Sequence, residues 1–290
     1  MSRISVWLSA IRPKTLGLSV SPVLVGTCLA WVERDQLLIL PALGALLAAM
    51  CIQIGTNLHN DAVDALKGTD TPDRLGPPRV TAQGLLSAAA VQRGALIAFA
   101  CAFVLGIYLV TAGGWPILLL GLVSLLAGAA YSGGPWPISA SPLGELFVFV
   151  FFGLGATVGS YYLQTAQPGT TAMMAGSMLG SIAAAVLVVN NYRDRQTDAL
   201  AGRKTLAVLM PPGASRIEYS LLLLLPFLIL VHLWTAGLVP WFVLILIVIA
   251  IYLIHKMFSL PVGSTLNQLL ANTARFQLVF SLVFCVALFV

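Results

Sequence analysis

Apolar residues in this chain come in long, nearly unbroken runs, and polar residues are confined to a few short stretches between them. A helix needs about 20 mostly apolar residues to cross a bilayer. Runs of that length recur from end to end and predict nine spans, at roughly 15–32, 37–60, 90–112, 115–131, 143–165, 171–193, 214–235, 238–258 and 268–290. Segments such as Leu221 to Leu225 and Val243 to Ile251 are continuously apolar, whereas strands of a membrane barrel would alternate in polarity. The expected fold class is therefore an all-α membrane protein, a bundle of nine transmembrane helices forming one domain over residues 1–290. Near the start, Ile4, Trp7, Leu8 and Ile11 recur at helical spacing and predict a short interfacial helix leading into the first span. Arg12, Pro13 and Lys14 interrupt the apolar run there, so a cleaved signal segment is not expected.

With 59% hydrophobic and 9% charged residues, a soluble core is excluded. The charges also orient the bundle. Arg3, Arg12 and Lys14, then Lys67, Arg74, Arg79 and Arg93, then Arg193, Arg195, Arg203, Lys204 and Arg216, and finally Lys256 all fall on one side of the predicted topology. The other side has Arg34, and Arg275 falls within the last span. By the positive-inside rule the N-terminus faces the cytoplasm and the C-terminus faces outward, as in a multi-pass protein of a bacterial inner membrane. The net charge of +5 then reflects topology and affinity for anionic headgroups or substrate. Neither nucleic acid nor a protein partner is indicated. The four cysteines lie within spans at no metal-type spacing and read as small apolar residues.

Against this background two polar stretches stand out. One runs from Asn60 through Asp61 and Asp64 to Asp70 and Asp73, the other from Asn190 and Asn191 through Arg193 and Asp194 to Asp198. Together they hold six of the ten acidic residues, at span ends on the basic side. In each, an Asn precedes an Asp by four. Residues four apart share a helix face, so Asn60 with Asp64, and Asp194 with Asp198, form two-pronged oxygen sets. Asn57 extends the first face, and Asp61 reaches it through the three-residue pairing with Asp64. Hard oxygen donors suit Mg²⁺, which commonly binds through a few carboxylates plus substrate phosphates. Two such clusters facing each other could hold two Mg²⁺ ions with a diphosphate between them. Asp70 and Asp73 read equally as turn or cap residues around Thr71-Pro72.

These stretches, NDAVDALKGTDTPDR and NNYRDRQTDALAGRKTLAV, resemble the two Asp-rich motifs of the UbiA superfamily of intramembrane prenyltransferases. With YSGGPWPIS (Tyr131 to Ser139), GELFVFVFFG (Gly144 to Gly153) and GSYYLQT (Gly159 to Thr165), they are similar to the branch that prenylates 1,4-dihydroxy-2-naphthoate in menaquinone synthesis. The general pattern NxxxDxxxD maps to Asn60 and Asp64, but its third position is Gly68, with Asp70 two residues later. DxxxD maps onto Asp194 and Asp198. Many relatives also have a basic residue between the fourth and fifth spans, and none occurs here between Ser132 and Pro142.

The resemblance implies a UbiA-type bundle with its active site on the cytoplasmic side. It implies Mg²⁺-dependent transfer of a polyprenyl group from its diphosphate to an aromatic acid, with loss of CO2 and demethylmenaquinone as product. Asn60, Asp64, Asp70, Asn190, Asp194 and Asp198 would be metal ligands. Asp61, Asp70 and Asp73 are the options for a base. Lys67, Arg74, Lys204 or Arg193 would balance the diphosphate charge, and Arg79 or Lys204 would meet an acceptor carboxylate. Asn57, Asn191 and Gln164 are further expected substrate contacts, and Tyr131, Phe149, Phe152, Tyr161 and Tyr162 are candidates for the wall that shields an allylic cation from water. Prenylation of 4-hydroxybenzoate or homogentisate is the neighbouring alternative. A cation-coupled secondary transporter is the alternative from another class, although such proteins place their carboxylates near mid-membrane on broken helices.

Overall fold

The computed structural model describes residues 2–35, 37–68 and 75–290. Asp70, Asp73 and Arg74 therefore lie outside the described residues. The chain forms α1 (Arg3–Ile11), α2 (Pro13–Arg34), α3 (Ile39–Lys67), α4 (Ala88–Ala130), α5 (Gly144–Phe149), α6 (Ala156–Thr165), α7 (Thr170–Leu200), α8 (Leu206–Leu209), α9 (Pro212–Thr235), α10 (Ile247–Ser259) and α11 (Leu266–Ala287). The protein is an all-helical, multi-pass membrane protein, with eight segments long and apolar enough to cross a membrane among the described residues.

The longest of them resolves into two limbs. At 43 residues, α4 would extend about 65 Å as one rod, twice the roughly 30 Å of a hydrocarbon core. Gly114 breaks it with φ 66° and ψ −155°, a conformation that L side chains rarely adopt. The chain then folds back: a Cβ on Gly128 would sit 3.2 Å from the ring of Phe99, although the two residues flank the break at similar distances along the chain. The limbs match the segments expected at 90–112 and 115–131.

The acid-bearing helices outrun the spans expected from the apolar pattern. Those expectations stopped at residues 60 and 193, whereas α3 continues to Lys67 and α7 to Leu200. With 29 and 31 residues they are about 44 and 46 Å long, so their last turns extend past a bilayer core as ordered helix. Asn60, Asp61 and Asp64 in the first polar stretch, and Asn190 to Asp198 in the second, are therefore helix ends. Gly68 closes α3 in the left-handed conformation, φ 65°, its N–H bonded to the Ala65 carbonyl. The third motif position is thus the cap itself, a glycine with no side chain to offer a ligand.

The N-terminal helix forms as expected, with Val6 and Ala10 as the face packed on the bundle. Val6 and Ala10 are buried with Trp7 packed beside them, while Ile4 and Leu8 are exposed. At its end Arg12 adopts φ 60°, and Pro13 opens α2 at the first helical position. Two α3 amides brace this corner: Asn57 Nδ2 donates to the Ile11 carbonyl at 3.0 Å and Gln53 Nε2 to the Thr15 carbonyl at 2.8 Å.

Helix α7 is the central post, with Ala172, Ala175, Met178, Leu179, Ile182 and Val189 buried against α2, α9 and α11. On another side it meets a π-helical segment, Val150–Gly155, that joins α5 to α6 within one span. Backbones touch there: a Cβ on Gly153 would lie 2.3 Å from the Gly180 Cα and 2.5 Å from the Gly176 carbonyl oxygen. Small residues at this spacing let membrane helices approach closely.

Candidate active site

The acidic ends of α3 and α7 converge on the mouth of one cavity of about 860 Å³. Its polar end is lined by Arg12 and Lys14 from the α1–α2 corner, Asn57, Asn60 and Asp61 from α3, Arg79, and Asn190, Asn191, Arg193, Asp194 and Asp198 from α7. Its deeper part is apolar and reaches Ala45, Leu109, Ile117 and Leu163. From Asn60 to Ala45 the cavity follows α3 for about 22 Å.

Arginines tie the two acidic helices together. Arg203 spans them, with Nη2 3.1 Å from Asp64 Oδ1 and Nη1 3.5 Å from Asp198 Oδ1. Arg79, itself buried, approaches Asp64 Oδ2 to 2.7 Å. Arg193 is almost wholly buried and forks onto its neighbour, Nε to Asp194 Oδ1 at 2.8 Å and Nη2 to Oδ2 at 2.5 Å. Nη2 also donates to Asn190 Oδ1 at 2.8 Å, and Nη1 donates to Asn267 Oδ1 at 2.6 Å. A guanidinium so fully engaged locks α7 to α11, whereas the sequence had suggested a substrate contact. Asn57 likewise braces the α1–α2 corner, and Asp61 Oδ1 accepts from the Thr81 hydroxyl.

The residues present fit a divalent cation. Asn60 donates Nδ2 to Ser132 Oγ at 2.6 Å, which leaves its amide oxygen as an acceptor at the cavity wall. The guanidinium of Arg203 already stands as a cation between carboxylates of the two helices. Among the described residues no three His, Cys, Asp or Glu side chains form a closed cage. The carboxylate and amide oxygens that α3 and α7 bring together are hard donors, the chemistry of a Mg²⁺ ion that keeps water and phosphate in its shell.

Other expected site residues lie elsewhere. Lys204 is exposed and off the cavity, its backbone N–H bonded to the Ala140 carbonyl. Its neighbour Arg203 points inward instead, because the chain turns back at Gly202 (φ 70°) and the Arg203 N–H bonds the Asp198 carbonyl. Lys67 is exposed and reaches the Ser132 carbonyl at 3.5 Å. Tyr161 and Gln164 sit at the opposite end of the bundle. There Tyr161 donates to Glu33, and Gln164 pairs with the backbone of Leu38, about 39 Å along α3 from Asp64. Tyr162 packs beside Leu109 and Leu163 and does not line the cavity. Phe149 faces Gly180 of α7.

The aromatic wall keeps Tyr131 and Phe152 of the expected set and adds Phe147 and Phe151. The Tyr131 and Phe147 rings are 6.0 Å apart, and those of Phe147 and Phe151 4.4 Å.

Known proteins share this architecture. A structure of a UbiA homolog from Archaeoglobus fulgidus bound to GPP and Mg²⁺ superposes with a TM-score of 0.69 at 15% identity, covering 98% of this chain and 100% of that one. The 1,4-dihydroxy-2-naphthoate octaprenyltransferase of Escherichia coli (strain K12) is 36% identical over 232 residues, 77% of this chain and 74% of the relative. The enzyme of the same name from Haemophilus influenzae is 30% identical over 299 aligned positions, 99% of this chain and 97% of the relative. The UbiA prenyltransferase family matches residues 19–284, and the chain belongs to that family.

Proposed function

We propose that this enzyme transfers a polyprenyl group from polyprenyl diphosphate to 1,4-dihydroxy-2-naphthoate, in a Mg²⁺-dependent reaction at the cytoplasmic face of a bacterial inner membrane. The observation that carries this reading is the pair of acid-tipped helices facing each other across one cavity whose far part is apolar. The relatives named for this reaction support the choice of acceptor. The charge asymmetry supports nine crossings with the N-terminus inside.

In the reaction the allylic C–O bond breaks with its electron pair going to diphosphate. Ring electrons of the acceptor form the new C–C bond, and the ring–carboxylate bond breaks, releasing CO2 and restoring aromaticity. Bound Mg²⁺ would supply charge stabilisation for the departing diphosphate. Asn60, Asp64, Asp194 and Asp198 would hold it. Arg203 and Lys14 lie where they can meet diphosphate oxygens, taking the part of the basic residue absent between Ser132 and Pro142. Tyr131, Phe147 and Phe151 would exclude water from the allylic cation and offer ring faces to it. The apolar depth would receive the polyprenyl tail.

Replacing Asp64 or Asp194 by Ala should remove prenyl transfer by detergent-purified protein supplied with Mg²⁺. Undiminished turnover would sink the site assignment. A panel of 1,4-dihydroxy-2-naphthoate, 4-hydroxybenzoate and homogentisate with one polyprenyl diphosphate identifies the acceptor, and CO2 release sets 4-hydroxybenzoate, which keeps its carboxylate, apart from the other two.

A further inference from the structure

Glu145 is a buried carboxylate that the reaction above leaves without a task. It stands in the first turn of α5, 5% exposed. Its Oε1 accepts a 2.7 Å hydrogen bond from Asn191 Nδ2, and its Oε2 has no hydrogen-bond partner among the described residues. Burying a carboxyl group with one oxygen unsatisfied is unfavourable, and an apolar side chain would fill the place better if packing were the whole requirement. The pair does something packing cannot: it fixes the sense of an amide. An Asn side chain offers a donor at one end and an acceptor at the other. A carboxylate accepts, so Nδ2 turns to Glu145 and Oδ1 turns the other way. Asn191 lines the cavity beside Asn190 and Asp194.

We propose that Glu145 is a positioning residue that holds the Asn191 amide oxygen toward the cavity, as the acceptor for a hydroxyl group of the aromatic substrate. This rests on the prenyl-transfer reading and deepens it. A diphosphate presents acceptor oxygens and gains nothing from another acceptor, whereas a ring hydroxyl is matched. Sites built to pair a substrate hydroxyl discriminate strongly against analogues lacking it.

The test uses the full-length protein in detergent, with donor and acceptor varied separately and thermal unfolding followed in parallel. Glu145→Gln is isosteric and lets the Asn191 amide turn either way. It should raise the acceptor KM on the order of tenfold, leaving donor KM and melting temperature unchanged. Asn191→Leu should raise the acceptor KM likewise, with a lower melting temperature because it strands the Glu145 carboxylate, and the double variant should have an acceptor KM no worse than Asn191→Leu, because Glu145 acts through Asn191. An unchanged acceptor KM in Glu145→Gln, an equal rise in donor KM, or additive effects in the double variant would overturn the proposal while the wild type still transfers prenyl groups. Wild-type protein that prenylates no aromatic hydroxy acid would overturn the functional reading, and this inference with it.

Discussion

Two arginines on the same stretch of chain illustrate how burial separates a working side chain from a lock. Arg203 is 22% exposed at its side chain and bridges Asp64 and Asp198, while Arg193 is 1% exposed and has its donors committed to Asp194, Asn190 and Asn267. Arg203 itself is part-exposed and Asp64 keeps Arg79 as a partner, so Arg203→Ala should lower the melting temperature less than Arg193→Ala. Steady-state kinetics should show a fall in kcat/KM for the donor on the order of a hundredfold, the scale of one lost charge-stabilising group. Arg193→Ala should behave oppositely. It strands Asp194 and two amides, and breaking a buried pair costs about 3–5 kcal/mol, which thermal unfolding would report as a large loss even under conditions where activity survives. Wild-type melting of Arg193→Ala would refute its role as a lock. The sequence made the acidic residues legible, because carboxylates near apolar runs are rare and their four-residue spacing has a geometric meaning. It did not reveal which of Arg203 and Lys204 faces inward, since that follows from a turn at Gly202, and loops have no periodicity to read. Glu145 was equally hidden, because a single acid within an apolar run looks like any span boundary.

At the level of elements, the apolar periodicity located the spans well and their ends poorly. It separated 90–112 from 115–131 because Gly113, Gly114 and Pro116 punctuate the run, and the structure places the reversal at Gly114. It ended α3 and α7 about two turns early, since hydropathy marks where the membrane stops and not where the helix stops. The π-helical segment left no periodic trace at all. Its reason is visible in three dimensions, where Gly153 meets the backbone of Gly176 and Gly180. A methyl group at residue 153 would meet backbone atoms, which cannot rotate away. Gly153→Ala should therefore force α7 off the π segment and destabilise the protein by about 1–3 kcal/mol, the usual range for overpacking. Gly121→Ala is the control, because a Cβ there meets open space. Equal melting temperatures for the two variants would show that the backbone contact is not limiting.

For the molecule as a whole, the bundle carries its own cations at the place where a metal–diphosphate complex would sit, and this shapes how ligands couple to stability. Asp64 and Asp198 are already compensated by Arg79 and Arg203. On the proposed reading, Mg²⁺ alone would have to compete with a guanidinium for these oxygens and would gain little. Diphosphate alone would find Arg79 and Arg203 already engaged by carboxylates and would gain few new partners. With both present, Asp64 and Asp198 would be available to hold the metal and Arg203 to meet phosphate, so that every charge would again be paired. Ligands that bind the folded state stabilise it in proportion to saturation, so the melting temperature in detergent should rise appreciably with Mg²⁺ and inorganic diphosphate together and only slightly with either alone. Removing the metal with a chelator should cancel the joint rise and abolish prenyl transfer, and added Mg²⁺ should restore both. In Arg203→Ala the competing cation is gone, so Mg²⁺ alone should become the stronger stabiliser and the extra rise on adding diphosphate should shrink. If Mg²⁺ alone gave the full shift in the wild-type protein, Arg203 would not be competing for the metal's place.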